Sequence, residues 1–180
     1  MDKDDKTRIE RIMRSHGFTD YKWLVPRDDI IVAQWVRFRC LFGCVEYGKA
    51  GSCPPAVPSV DECRNMINEY TSAVILHFYV QSPSLDDKLT RMSELLGLER
   101  EIFLAGYYKT FLLQYADCCF CKTCVAGGVR EKCVYKAQCR PSVDAMGIDI
   151  FHTARKAGFY IDVLRDCNDM QNRFAILLIY

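Results

Sequence analysis

Apolar residues at helical spacing predict four α-helices. They recur in this way near the N-terminus, and Ser59 with Glu62 three residues later forms the capping-box pattern that begins a helix. A longer helical pattern follows position 85, with Gly97 as a candidate break, and another begins after Pro141. The predicted helices cover residues 4–16, 59–70, 85–115 and 142–158.

Short apolar runs predict strands between these helices. The run Ala73–Val80 is almost entirely apolar, which is typical of a strand that is buried on both faces. His77 lies inside this run and is interpreted as a hydrogen-bonded core residue. The predicted strands cover residues 21–25, 30–36, 73–80, 159–164 and 174–180. Together the elements predict a single compact α+β domain over residues 1–180, with a buried sheet flanked by helices.

The charges and the apolar runs argue against two classes of protein. Lys and Arg together number 24 and Asp and Glu number 23, so the formal net charge is only +1. Domains that bind duplex nucleic acid normally have a strong basic excess, so no nucleic-acid partner is expected. The longest apolar runs, residues 73–80 and 174–180, are far shorter than the roughly 20 residues that span a bilayer, so no membrane insertion is expected.

The chain contains 11 cysteines among its 180 residues, more than core packing alone requires. Its first ten residues are charged and lack the apolar segment of a secretory signal, so a cytoplasmic protein is expected. The cytosol keeps thiols reduced, which favours metal ligation, and disulfides in an exported fragment are the weaker alternative. Most of the cysteines fall in loops at residues 37–58 and 117–141, which predicts a cysteine-rich metal-binding lobe.

The second loop carries the more specific ligand pattern. Cys118, Cys121 and Cys124 form a C-x2-C-x2-C run, and Cys133 follows after eight intervening residues. Three thiolates at this interval wrap around one iron–sulfur cluster. Zinc sites usually separate two C-x2-C pairs by a longer spacer, and a redox dithiol needs only one pair, so both are weaker alternatives. Either Cys133 or Cys139 completes the site.

The first loop offers fewer certain ligands. Cys40, Cys44 and Cys53 form a C-x3-C-x8-C-P-P pattern, in which the proline after the last cysteine stiffens the loop and removes a competing N–H donor. Cys63 is the nearest candidate for a fourth ligand. It also lies on the apolar stripe of its predicted helix, where a buried inert thiol is equally expected. The remaining alternatives are Cys139, Cys167, a partner residue or an open coordination position.

The two cysteine patterns, with the motifs around them, resemble one known family. The motifs run in the order V-R, C, G-C, Y-G-K, C-P-P, A-G-Y-Y-K, C-x2-C-x2-C, R-P-S and G-I-D. In this order they resemble the family described as predicted metal-binding protein, which has no assigned reaction. The resemblance implies a bound metal of the iron–sulfur type in anaerobic microbes, and it favours Cys133 as the fourth ligand of the second site. Cys139 and the extra Cys119, interpreted as a spare thiol, depart from the family pattern.

These patterns predict an iron–sulfur protein with two 4Fe-4S clusters. Its expected role is electron transfer to a redox partner protein, as a small carrier or as a subunit of a redox complex. The three histidines are far apart in sequence, and no nucleotide-binding, nucleophile–base or paired-carboxylate motif is visible. Two alternatives stay open: a zinc-stabilised interaction module, and an enzyme that uses an open iron at the Cys40, Cys44 and Cys53 site.

Overall fold

The computed structural model describes residues 1–81, 84–166 and 168–180. Cys167, one of the alternatives for a fourth ligand, lies outside the described residues. The elements in chain order are α1 (Lys3–Ser15), β1 (Tyr21–Leu24), α2 (Pro26–Asp29), α3 (Gln34–Gly43), α4 (Val60–Asn68), β2 (Ala73–Val80), α5 (Leu85–Leu104), β3 (Phe111–Leu113), a 3₁₀ turn (Arg130–Lys132), α6 (Ile150–Lys156) and β4 (Gln171–Leu178).

The strands form one antiparallel sheet in the order β1-β2-β4-β3. One face packs on α1 and α5 through Val74, Leu76 and Leu177, and the other packs on α4 and α6 through Ile75 and Ile176. Successive side chains of a strand point to opposite faces, so a central strand between two helical layers is apolar throughout. The predicted α+β class, with a buried sheet flanked by helices, is confirmed.

The strongest local signals predict their elements correctly. Strand β2 has the predicted bounds, and α4 begins after Ser59, whose side chain accepts from the Glu62 N–H while the Glu62 carboxylate accepts from the Ser59 N–H. His77 is buried, with Nδ1 2.6 Å from Asp20 Oδ2 and Nε2 2.8 Å from Asn172 Oδ1. The interpretation of His77 as a hydrogen-bonded core residue is confirmed.

The prediction of a long helix over residues 85–115 is wrong in two respects, the C-terminal end of the helix and the proposed break at Gly97. It ends at Leu104, because Gly106 takes a φ of +106° and turns the chain into β3. The helix is not interrupted at Gly97. A Cβ at that position would lie 3.5 Å from the His16 ring, an ordinary van der Waals distance, and Gly97 does not take the left-handed conformation that would interrupt a helix.

Three other segments also differ from the prediction. Residues 30–36 do not form a strand, since Val32 makes only an isolated bridge to Ile148 and α3 begins at Gln34. The helix predicted from residue 142 begins at Ile150, because turns around Gly147, with a φ of +76°, come first. Residues 159–164 are irregular. The first two segments contact each other, since the Ala33 N–H donates to the Gly147 carbonyl and the Asp149 N–H donates to the Ile31 carbonyl, each at 2.8 Å. These contacts between distant residues override weak local patterns.

Candidate metal centre

The first cysteine group, Cys40, Cys44 and Cys53, lies at the end of α3 and in the turns that follow. Cys40 is in the last turn of the helix and Cys44 caps it, with the Cys44 N–H donating to the Cys40 carbonyl at 3.3 Å. The chain then folds back, and the Gly48 N–H donates to the Pro54 carbonyl at 3.0 Å. All three cysteines of this group line one cavity.

This cavity of about 1150 Å³ has charged and aromatic walls. Arg39, Lys88 and Arg173 contribute cations, and Asp117 and Asp144 contribute carboxylates. Lys88 Nζ lies 2.8 Å from Asp117 Oδ1, which ties α5 to the start of the second cysteine loop. The aromatic walls are Trp35, Phe38, Phe42, Tyr47 and Tyr115.

Two thiols of the first group, Cys40 and Cys53, are held in their protonated form. Burial, together with Asp144, raises the pKa of Cys40, and burial together with Asp117 raises the pKa of Cys53 to about 11. A metal that binds here has to displace these protons, because the thiolate is the ligand.

Cys63 lies in the hydrophobic core and not in the cavity. Its side chain is only 1% exposed, and its Sγ lies 3.7 Å from Met146 Sδ, 3.6 Å from the Pro58 carbonyl oxygen and 3.7 Å from Arg37 Nη2. Burial raises the pKa of this thiol. Of the two interpretations left open by the sequence, the structure places Cys63 in the core position.

The second cysteine group forms a packed cluster of thiols. Cys133 and Cys139 are 8% and 5% exposed, and Cys118 and Cys124 pack against them beside Ala126. The Cys139 thiol donates a hydrogen bond to the Cys118 sulfur, which holds the pKa of Cys118 below its ordinary value. The same bond and burial raise the pKa of Cys139. We refer to Cys118, Cys124, Cys133 and Cys139 as the packed thiol cluster.

Two other cysteines of this loop lie elsewhere. Cys121 is half-buried and does not belong to the packed thiol cluster in the described chain. Cys119 points into the core between α5 and the sheet, where its Sγ lies 3.3 Å from Met92 Sδ. Cys119 therefore anchors the residue before it in sequence, Cys118, at the edge of the core.

Buried polar contacts fix the far end of the same loop. Arg140 Nε lies 2.9 Å from Glu99 Oε1, and the Glu99 side chain is only 8% exposed. The Gln114 N–H donates to the Pro141 carbonyl at 2.9 Å. The residue that precedes Arg140 is Cys139, so α5 and the chain after β3 determine where this thiol lies.

The two cysteine loops pack directly on each other. The Gly128 N–H donates to the Lys49 carbonyl at 3.0 Å, and a Cβ at Gly51 would lie 3.1 Å from Ala126 Cβ. Gly128 has a φ of +77°, and a Cβ there would collide with the Gly48 carbonyl oxygen. Glycine at these positions allows the close approach, and the two groups form one lobe.

The family model for predicted metal-binding protein (DUF2284) matches residues 23–179, which include both cysteine loops and most of the sheet. The chain belongs to this family. No curated protein and no solved structure is detectably similar to it. Within the described ranges, no helix is both long and apolar enough to cross a membrane.

The donors of this DUF2284 protein fit a metal that prefers sulfur ligands. Ser52 Oγ and Arg130 Nη1 are buried in the lobe without a hydrogen-bond partner among the described residues, so both can donate to an anionic thiolate centre. In the part of the chain that the structure describes, no three His, Cys, Asp or Glu side chains are arranged to hold a metal ion together. The thiols are gathered, but they are not disposed as the ligands of one ion.

Sequence reasoning missed the residues that position the thiols in this family member. Glu99 occupies a buried position of α5, on the stripe that also carries Met92, Leu95 and Ile102. A carboxylate on an otherwise apolar stripe is a detectable signal for a buried partner, which here is Arg140. The contact between Gly128 and Lys49 joins residues far apart in sequence, so no local sequence pattern predicts it.

Proposed function

We propose that this chain binds two iron–sulfur clusters of the 4Fe-4S type, one at each cysteine group, and relays electrons between them and a partner protein. The first cluster would use Cys40, Cys44 and Cys53, and the second would use cysteines of the 117–141 loop. The observation that carries the proposal is the direct packing of the two loops through Gly128 and Lys49. Electron transfer weakens steeply with distance, so two redox sites in one lobe form an efficient pair.

The charges around the first group support the same proposal. A cluster supplies reversible one-electron chemistry when it is bound, and its thiolate ligands make it anionic. Arg39, Lys88 and Arg173 line the cavity and would offset part of that charge. The N–H groups of Ser52 and the turns of the lobe lie close enough in sequence to the ligands to serve as further donors.

The surface around the first group suits a protein partner. Trp35, Phe38, Phe42 and Val45 are all substantially exposed and lie on α3 or just after it, next to the exposed Cys44. Exposed aromatic side chains beside a redox site are typical of a docking surface for a partner protein. Free thiols of this number require a reducing compartment, so the proposed location is the cytoplasm.

A second candidate function is catalysis at the first group. Cys63 lies in the core, so the cavity presents three cysteines, and an iron held by them would keep one position free for a substrate. The cavity gives a small molecule access to that position. This candidate needs the same cluster and differs from the electron relay in what happens at the open position.

Metal and sulfide analysis of anaerobically purified protein tests the proposal. We expect brown protein with about eight iron atoms and a similar amount of acid-labile sulfide per chain, four for each cluster, and bleaching by dithionite. Colourless protein with stoichiometric zinc and no sulfide would contradict it and would favour the zinc-stabilised interaction module.

A further inference from the structure

The packed thiol cluster differs from the ligand set that the spacing predicts. The spacing selects Cys121, whereas the fold gathers Cys139 with Cys118, Cys124 and Cys133. We propose that these four gathered cysteines ligate the second cluster, that Cys121 does not, and that Ser52 and Arg130 donate hydrogen bonds to it. The proposal rests on the proposed function for the identity of the cluster. The four thiols are in contact but are not disposed as the ligands of one ion, so their side chains must rearrange when a cluster or another thiophilic metal binds.

The position of Cys139 is determined by the fold and not by a metal. The buried pair of Arg140 and Glu99 holds the next residue to α5, and the Pro141 carbonyl accepts from Gln114. A thiol that is already held in a buried place next to Cys118 loses little conformational freedom when it becomes a ligand.

The position of Cys121 is not determined in this way. It lies in the turns between Cys118 and Cys124, and the two residues that follow it, Lys122 and Thr123, are exposed. Its thiol is half-buried and outside the packed thiol cluster of the described chain. To become a ligand it would have to displace a thiol that the core already holds in place.

Ser52 and Arg130 supply donors that the protein itself leaves unused. Ser52 is only 4% exposed, and its hydroxyl has no hydrogen-bond partner of normal geometry among the described residues. It lies close enough to the sulfurs of Cys53 and Cys139 to oppose the rise in the pKa of both thiols. Arg130 Nη2 donates to the Lys136 carbonyl at 3.1 Å, which leaves Nη1 buried and unpaired. Burying a donor without a partner is costly, so a sulfur acceptor at this place explains why both are retained.

The ligand set is tested with a matched pair of variants, Cys139→Ser and Cys121→Ser. After anaerobic reconstitution, Cys139→Ser is expected to lose half of the iron and sulfide, and Cys121→Ser is expected to keep the full amount. Electron paramagnetic resonance of the reduced first cluster serves as the internal control that the lobe has folded. Full iron in Cys139→Ser, or loss of half the iron in Cys121→Ser, overturns the proposed ligand set.

Cobalt(II) separates a failure of this ligand set from a failure of the proposed function. If the wild-type protein holds zinc and no sulfide, the iron–sulfur assignment fails, and cobalt(II) then replaces zinc as the probe. The thiolate-to-cobalt absorption is expected to disappear in Cys139→Ser and to persist in Cys121→Ser. The reverse pattern overturns the ligand set for that metal as well.

The donor role of Ser52 is tested by reduction potential, which a purely structural role would not change. Ser52→Ala is expected to shift the potential of the second cluster to a more negative value, because a donor to its sulfurs is lost. Ser84→Ala, far away at the start of α5, is the control and leaves the potential unchanged. An unchanged potential in Ser52→Ala, with iron content equal to that of the wild type, overturns the donor role.

Discussion

The two cysteine groups place the same side chain in different surroundings. Cys44 is exposed, and the first group opens into a large cavity beside exposed aromatic residues. In the second group, Cys133 and Cys139 are almost completely buried, and thiols pack against one another. Both groups offer the same type of ligand, so the difference between them lies in burial. Burial decides which group other molecules can reach and which group is enclosed.

The cause of the difference is how each loop is attached to the core. The second loop is fixed at both ends, by Cys119 against Met92 and by Arg140 against Glu99. The first loop follows the short helix α3, which contributes only Val36 to the buried residues. A loop that is fixed at both ends can enclose its thiols, whereas a loop on a lightly packed helix leaves them accessible.

The largest expected consequence concerns access to the metal. An iron chelator should remove metal from the first group several times faster than from the second, because its thiols line an open cavity. The loss of cluster absorbance should therefore show two phases. In Cys53→Ser, which removes a ligand of the first group only, the fast phase should be absent. A single phase in the wild-type protein would contradict the comparison.

The attachment of the second loop can be weakened directly. Arg140→Ala leaves the buried Glu99 carboxylate without its cation, and we expect the free energy of unfolding to fall by about 3–5 kcal/mol. Urea unfolding followed by circular dichroism measures the change. The matched control is Arg14→Ala, which breaks the exposed pair with Glu10 and should cost less than about 1 kcal/mol. Similar losses in both variants would show that the Arg140 pair does not fix the loop.

The elements that could be predicted from sequence are those with a dense local signal. The apolar run of β2 and the Ser59–Glu62 capping box each depend on neighbouring residues, and both are confirmed. Strand β3 has only three residues and pairs with β4 more than fifty residues later in the chain. That pairing determines the conformation of β3. The helical periodicity over residues 85–115 therefore led to a wrong prediction for this segment.

The candidate site likewise has a part that could be predicted from the sequence and a part that could not. The spacing of the cysteines predicts two groups of ligands, because metal ligation imposes short regular intervals on the sequence, and their ligation of a metal stays a prediction. The gathering of Cys139 with Cys118 depends on the buried pair of Arg140 and Glu99. The approach of the two loops depends on Gly128 and Lys49. These contacts join distant parts of the chain, so they become visible only in the fold.

The smallest expected effect concerns Cys63, the residue that decides whether the first group is closed or open. Cys63→Ala should keep all the iron and lower the free energy of unfolding by about 1 kcal/mol, because it removes only a small buried group beside Met146. Ile67→Val, which removes one buried methyl group from the same helix α4, is the matched control and should also keep all the iron at a similar cost in stability.

Small ligands then distinguish the electron relay from catalysis. If Cys63→Ala keeps its iron, three cysteines of the chain hold the first cluster, and an added small anion such as cyanide can occupy the remaining position. A change in the paramagnetic resonance signal of that cluster on addition would favour a catalytic iron, and an unchanged signal would favour the relay. Loss of iron in Cys63→Ala would contradict the core role of this thiol. It would mean that the helix α4 rearranges to close the site, and the contrast between an open first group and an enclosed second group would then no longer hold.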